Sequence, residues 1–144
     1  MMTFVYRARF EPGERSGIVV SFPDVPEAIT EGDDEADARV QAEEALGLAL
    51  LTYPARGLPL PKAAARGREF VPIAVEPEIA AKLALLEAFR VAGISKSELG
   101  RRIRKDEKEV RRLLDPKHPT KLGSVIEALR HLGQRLVLGV EKAA

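Results

Sequence analysis

Apolar and polar residues alternate near the start of the chain, which is typical of β-strands. Every second position from 4 to 10 is apolar, and a further apolar run covers 17 to 22 after a loop that contains Pro12 and Gly13. Two such runs joined by a short loop predict a β-hairpin. A short third strand is expected at 28 to 30, and a fourth at 69 to 75.

Apolar residues recur at helical spacing between and after these strands. The first helix is expected to begin at Asp33 or Asp34 and to end at Pro54. A second helix should cover 77 to 92 before Gly93, and a last one 122 to 132 before Gly133. The segment from Gln134 to Val140 predicts a terminal strand.

Residues 95 to 115 predict two short helices joined by a tight turn. Leu99 and Ile103 lie four positions apart and form the inward stripe of the first helix. Asp106 is expected to cap the second helix, and Gly100 to let the two helices approach closely. This arrangement predicts a helix-turn-helix, which binds DNA by laying its second helix in the major groove.

A basic face remains on the second helix once its apolar stripe is turned inward. Lys108, Arg111 and Arg112 are then left to face either solvent or a duplex, and the helix-turn-helix frame favours the duplex. Flanking polar residues are expected to hold phosphates. The full set of expected DNA contacts is Lys96, Ser97, Lys105, Glu107, Lys108, Arg111, Arg112, Lys117, His118, Thr120 and Lys121.

Charge is distributed unevenly, although the 144 residues carry a formal net charge of only +1. Residues 1 to 75 hold 8 basic and 12 acidic side chains, and residues 76 to 144 hold 15 and 10, so the two halves have net charges of −4 and +5. This reversal of net charge predicts two domains, 1 to 75 and 76 to 144, each with its own partner. The basic surface would attract a phosphate backbone whatever the base sequence.

Composition narrows the class of protein further. The absence of cysteine excludes a disulfide framework and thiolate chemistry. The first residues lack the apolar core of a signal peptide, and the longest apolar stretch, 45 to 52, is too short to span a bilayer. We therefore expect a soluble, cytoplasmic protein without membrane contact.

An acidic cluster between 24 and 37 has two interpretations. Converging carboxylates can hold a divalent metal, as in ribonucleases of the H type, and would then make this half a nuclease. Asp33, Asp34 and Glu35, however, stand at a predicted helix N-terminus, where carboxylates cap amides and match the helix dipole. Neither His118 nor His131 belongs to a metal or acid–base constellation. We therefore expect no metal, no cofactor and no catalysis.

The order of the segments resembles a known family. The predicted hairpin is followed by Phe22-Pro23-Asp24-Val25-Pro26, then by Ile29-Thr30-Glu31-Gly32-Asp33, and then by an Ala/Glu-rich helix. This order is similar to that of the HicB antitoxins. The stretch from 107 to 116 resembles the Cro/repressor type of helix-turn-helix that some of these proteins carry at their C-terminus.

The resemblance implies an α+β fold: a degraded ribonuclease-H-like β-β-β-α-β domain, then an all-α helix-turn-helix domain with a short terminal strand. It also implies two partners: a HicA-like toxin that cleaves mRNA, and double-stranded operator DNA. Because one short recognition helix contacts too few base pairs for a specific site, we expect a homodimer or higher even oligomer. Because an acidic surface suits a basic RNA-binding protein, the expected toxin contacts are Asp24, Glu27, Glu31 and Asp33.

Two features depart from the repressor pattern. The turn usually holds glycine and then an apolar residue, and these positions are Arg104 and Lys105 here. A left-handed backbone at a residue other than glycine has a cost, so we expect a remodelled turn or a changed helix angle. Glu107 and Glu109 should weaken phosphate binding unless one of them accepts a hydrogen bond from a cytosine amino group.

Two other functions stay open from the sequence. One is a ligand-sensing helix-turn-helix regulator without a toxin partner, and the other is a metal-dependent nuclease that uses the acidic cluster. A short, basic, histidine-containing protein in the adjacent reading frame would favour the antitoxin.

Overall fold

The structure is a computed structural model that describes residues 1 to 143, in which four strands and five helices are formed. The strands are β1 (Val5–Pro12), β2 (Ile18–Ser21), β3 (Ile29–Gly32) and β4 (Phe70–Ala74). The helices are α1 (Glu35–Ala55), α2 (Pro77–Ala92), α3 (Lys96–Ile103), α4 (Glu107–Leu113) and α5 (Leu122–His131). The predicted α+β class is confirmed.

The sheet has the strand order β3-β2-β1-β4, and each neighbouring pair is antiparallel. Arg9 of β1 lies opposite Ser21 on one side and Phe70 on the other. The alternation along β1 works as the sequence predicted, since Tyr6 and Ala8 are buried in the core. Arg9 is exposed, and its guanidinium carbon lies 5.1 Å from the centre of the Phe70 ring.

Helix α1 packs on the sheet through a stripe of small and branched apolar residues. Asp34 caps it by accepting a hydrogen bond from the Asp37 amide at 2.8 Å, so the predicted start is confirmed. Its other end differs by one residue, because Pro54 lies inside the last turn and the helix continues to Ala55. In residues 1 to 143 no helix is both long and apolar enough to cross a membrane.

Helix α2 contributes to two hydrophobic clusters. Leu83 is buried in the N-terminal core, which the sheet and α1 build, whereas Leu85 and Leu86 are buried in the C-terminal core with α3, α4 and α5. The contact between α1 and α2 is close, because a Cβ atom at Gly47 would lie 2.9 Å from Cδ1 of Ile79. One unbroken helix therefore ties the two cores together.

The C-terminal core is built as the apolar spacing predicted. Leu99, Val110 and Val125 form its centre, one from each of the last three helices. Gly93 ends α2 with a φ of 65°, and Gly133 has a φ of 75° just after α5. Both glycines take the left-handed conformation that commonly terminates a helix.

The predicted terminal strand is wrong. Residues 134 to 140 form no strand and join no sheet in the part of the chain that the structure describes. Leu136 packs against the C-terminal core, whereas Val137, Leu138 and Val140 are exposed. A segment of strand-forming residues makes a strand only when another strand satisfies its backbone groups, and within residues 1 to 143 this segment pairs with no strand.

Candidate nucleic-acid interface and acidic surface

Both helices of the helix-turn-helix start with a side-chain cap. Oγ of Ser95 accepts a hydrogen bond from the Glu98 amide at 3.0 Å, and Oδ1 of Asp106 accepts one from the Glu109 amide at 2.8 Å. Oε2 of Glu109 accepts from the Asp106 amide at 3.3 Å, which completes a capping box. The predicted cap at Asp106 is confirmed, and Glu109 stabilises the start of α4.

The turn between α3 and α4 is left-handed at Arg104, with φ 57° and ψ 46°. The amide of Lys105 donates to the Gly100 carbonyl at 3.0 Å. A Cβ atom at Gly100 would lie 3.0 Å from the Lys105 carbonyl oxygen and 3.2 Å from Cγ2 of Val110. The close approach predicted at Gly100 is confirmed, and Arg104 carries the backbone strain that glycine would avoid.

The outward face of α4 is basic, and part of its charge is paired within the helix. Lys108, Arg111 and Arg112 are exposed. Nη2 of Arg111 lies 2.6 Å from Oε1 of Glu107, one turn earlier. An exposed pair of this kind adds little stability, but it reduces the net positive charge that α4 presents.

A cavity of about 270 Å³ lies beside α4 and α5 and collects part of the predicted DNA-contact set. The members that line it are Lys105, Arg112, His118, Thr120 and Lys121. The remaining members lie outside this lining, on α3, on α4 and in the loop after α4: Lys96, Ser97, Glu107, Lys108, Arg111 and Lys117. Three exposed cations and a histidine therefore line one concave surface, which they share with the carboxylates of Glu109 and Glu127.

Lys82 of α2 is a buried cation that the sequence analysis missed. Its side chain is 4% exposed, and Nζ donates to the carbonyl oxygens of Arg112 at 3.3 Å and Leu113 at 2.7 Å. It also donates to Oγ1 of Thr120 at 2.5 Å. These bonds join α2 to the end of α4 and to the loop before α5.

Burial lowers the pKa of Lys82 from 10.5 to about 8, and the nearby Asp115 carboxylate partly opposes this effect. Thr120, which was expected to hold a phosphate, accepts a hydrogen bond from Lys82 within the chain. The signal for Lys82 was present in the sequence, because it is the one charged residue in the run from 79 to 86. An amphipathic pattern alone does not say whether such a lysine is buried.

Two of the four predicted toxin contacts are engaged within the chain. Oδ2 of Asp24 accepts hydrogen bonds from the amides of Ala64 at 2.9 Å and Ala65 at 2.8 Å, which fixes the loop before β4. Oε2 of Glu27 accepts from the Tyr53 hydroxyl at 2.6 Å, and this bond lowers the pKa of Glu27. Both carboxylates therefore stabilise contacts within the N-terminal half.

The other two predicted toxin contacts lie at the end of β3 and just before α1. Glu31 and Asp33 are exposed, and the Asp33 amide donates to Oδ2 of Asp37 at 2.8 Å. In residues 1 to 143 no three histidine, aspartate or glutamate side chains are grouped so that they could hold a metal ion.

Comparison with known proteins identifies the N-terminal part. Residues 5 to 84, more than half of the chain, match the model of a family described as HicB-like antitoxin of bacterial toxin–antitoxin systems. The chain belongs to this family. The family match begins at β1 and ends within α2, so it includes all of the sheet, α1 and the half of α2 that carries Leu83.

Curated relatives extend the likeness beyond the family segment. The chain is 36% identical over 135 residues to Antitoxin HicB of Escherichia coli K12, covering 92% of this chain and 96% of the relative. It is 33% identical over 136 residues to Antitoxin HicB 1 of Photorhabdus laumondii, covering 94% and 86%. It is also 32% identical over 144 residues to Antitoxin HicB of Pseudomonas fluorescens, covering 99% and 97%. These alignments include the helix-turn-helix, so both halves of this HicB-like chain have counterparts in its relatives.

Proposed function

We propose that this HicB-like antitoxin binds and neutralises a small, basic, mRNA-cleaving toxin through its N-terminal half and represses its own operon through its helix-turn-helix. It acts in the cytoplasm by stoichiometric binding and catalyses no reaction. The observation that carries the proposal is the combination in one chain of the antitoxin family segment at 5 to 84 with a capped helix-turn-helix at 95 to 113.

The geometry of the C-terminal half supports operator binding. α4 is short, capped and exposed on its basic face, so its basic side chains can enter a major groove without breaking contacts of the C-terminal core. Arg112 and Lys121 approach the same cavity from α4 and from the start of α5, where they can contact neighbouring phosphates. We propose that Arg111 reads a base and that the flanking cations position the helix.

The acidic side of the N-terminal half supports toxin binding. Glu31 and Asp33 are exposed and free of the loop contacts that engage Asp24, so we propose that they meet basic side chains of the toxin directly. Asp24 and Glu27 add to the attraction of the basic toxin through their negative charge, without direct contact. Association driven by opposite charge should become slower as salt is added.

Operator binding is tested by gel shift of the full chain on the DNA upstream of its own reading frame. We expect binding as a dimer or higher even oligomer to an inverted repeat whose half-sites lie about one helical turn, or a multiple of it, apart. The Arg111→Ala/Arg112→Ala double variant should lose this binding. Undiminished binding by the double variant would exclude α4 as the reading helix.

Toxin binding is tested by co-expression with the product of the adjacent reading frame. The full chain should copurify with that protein and restore growth. The Glu31→Gln/Asp33→Asn variant should associate more slowly, and the difference from the wild type should shrink in high salt. Failure of the full chain to bind the neighbouring product would reject the antitoxin role for this pair.

A further inference from the structure

One buried cation joins both ends of the loop between α4 and α5, which covers residues 114 to 121. Nζ of Lys82 donates a hydrogen bond of 2.7 Å to the carbonyl oxygen of Leu113, the last residue of α4. It donates another of 2.5 Å to Oγ1 of Thr120, near the start of α5, and a third of 3.3 Å to the carbonyl oxygen of Arg112. An ammonium group has three donors, so every donor of Lys82 is used to hold this loop.

The same loop carries cations that are proposed to contact phosphates. The side chains of Lys117, His118 and Lys121 are exposed. Thr120 links Lys82 to this part of the loop, because its hydroxyl also donates to the carbonyl oxygen of His118 at 3.4 Å. The bonds of Lys82 therefore set the position of the loop cations relative to α4.

Lys82 itself cannot contact DNA, since it is only 4% exposed. α4 has seven residues, and the side chains that it buries are Val110 and Leu113. Apolar packing is non-directional, so two such contacts do not fix the angle of a short helix, whereas hydrogen bonds have preferred directions. Reading bases requires side chains to be held within about 0.5 Å of their working positions. The bonds from Lys82 to the end of α4 are suited to this task.

We propose that Lys82 is a positioning residue for operator recognition, which fixes the angle of α4 relative to the phosphate-binding cations of the following loop. This inference rests on the proposed operator binding. Base contacts form only when α4 and the loop fit the duplex at the same time, so sequence-specific binding depends on Lys82. General attraction to a duplex depends on exposed cations and does not need this fit.

The variant Lys82→Met tests this difference in the full chain. Fluorescence anisotropy measures binding to the DNA upstream of the reading frame and to a scrambled duplex of the same composition, at a temperature at which circular dichroism shows each variant to be folded. We expect the dissociation constant to rise about tenfold or more on the operator and less than about twofold on the scrambled duplex. An equal rise on both duplexes, or none on the operator, would overturn the proposal.

The matched control is the same substitution at an exposed lysine of the loop, Lys117→Met. The amide of Lys117, not its side chain, makes the bond to Oδ1 of Asp115 at 2.9 Å, so the loop keeps this contact. Loss of an exposed charge should weaken binding to both duplexes by a similar factor and reduce the salt slope by about one. Identical behaviour of the Lys82 and Lys117 variants would contradict the positioning role.

Chemical rescue distinguishes the ammonium group from the bulk of the Lys82 side chain. The chain has no cysteine of its own, so Lys82→Cys can be alkylated at a single thiol in urea and then refolded, with the wild type carried through the same steps. Bromoethylamine gives a side chain as long as lysine that ends in an ammonium group, and bromopropane gives one of equal length that ends in a methyl group. The first adduct should recover most of the operator affinity, and the second should not. Equal affinity of the two adducts would show that packing alone is responsible.

Hydrogen exchange without DNA separates the inference from the proposed function. In Lys82→Met the amides of Lys117 and His118, which are bonded to Asp115 within the loop, should exchange faster, whereas those of α1 should not change. Unchanged exchange in the loop would overturn the inference whatever the DNA result. A wild type that prefers neither duplex would refute the repressor role together with the positioning role that rests on it. A preference for the operator that Lys82→Met retains in full would refute the positioning role alone.

Discussion

Nζ of Lys82 on α2 donates a hydrogen bond of 2.7 Å to the carbonyl oxygen of Leu113 at the end of α4. A buried cation at this position satisfies carbonyl groups that a helix leaves without intrahelical partners, and it matches the negative end of the helix dipole. The contact fixes the end of α4, the proposed reading helix, to α2, which also contributes Leu83 to the N-terminal core.

Replacement of Lys82 by methionine should destabilise the protein. The Arg112 and Leu113 carbonyl oxygens would be left without this donor, which we expect to lower the free energy of unfolding by about 1–3 kcal/mol. Urea denaturation measures the effect. Arg90→Met is the matched control, because Arg90 is exposed on the same helix and forms a surface ion pair with Glu87, which adds little stability. Equal losses in both variants would contradict a structural role for the buried ammonium.

Stability should depend on pH through Lys82 in a defined direction. The folded-state pKa of about 8 lies below the ordinary 10.5. As the pH rises, the folded protein therefore releases this proton before the unfolded protein does. The resulting stabilisation is complete above about 10.5 and is lost as the pH falls through 8, with a total on the order of 3 kcal/mol. The difference in unfolding free energy between wild type and Lys82→Met should therefore widen from pH 8 to 10. A constant difference over that range would show that the lysine titrates normally.

Glycine at position 104 should relieve strain in the turn. Arg104 holds a left-handed backbone, which costs a residue with a Cβ atom about 1 kcal/mol more than glycine. We expect Arg104→Gly to raise the melting temperature slightly and Arg104→Ala, which keeps the Cβ atom, not to raise it. A stabilisation shared by both variants would mean that the arginine side chain, rather than the backbone, is unfavourable.

Removal of the charge on Glu107 should strengthen binding to any duplex. Glu107 pairs with Arg111 at 2.6 Å and would lie near phosphates if α4 enters a groove. Glu107→Gln should lower the dissociation constant several-fold at low salt and make its salt dependence steeper. The control is Glu43→Gln on α1, an exposed residue of the N-terminal half, which removes the same charge and should change affinity much less.

The position of a cut in α2 should decide whether the N-terminal half folds by itself. A fragment of residues 1 to 75 lacks Leu83, which is buried in the N-terminal core, and Ile79, which packs against Gly47. A fragment of residues 1 to 92 keeps both contacts. We expect the longer fragment to unfold cooperatively at higher urea concentration and to neutralise the toxin better. Equal stability of the two fragments would show that α2 is dispensable to this core.

Local signals explain what the sequence predicted well. Asp34, Asp106 and Gly93 act within one helical turn of their own positions, so their roles follow from residue type and spacing alone. The same holds for Gly100, because the turn that requires it lies only five residues further on.

Contacts between distant residues explain what was missed. Lys82 meets Leu113 across 31 positions, and Asp24 meets Ala64 across 40, so no short pattern reveals either partner. The prediction of a terminal strand was wrong for a related reason. The residues of the segment favour a strand, but they do not show whether a neighbouring strand is present to pair with it. Whether Asp24 and Glu27 face solvent or the fold likewise depended on a loop and a helix that pack beside them.

The continuity of α2 also bears on how long such a protein survives in a cell. A protease needs an unfolded stretch of chain, and no exposed linker separates the two cores, because the helix between them contributes side chains to both. Cleavage there would require α2 to unwind and would release Leu83 and Leu85 from their separate clusters in the same event. The proposed toxin binding and the proposed operator binding would then be lost together.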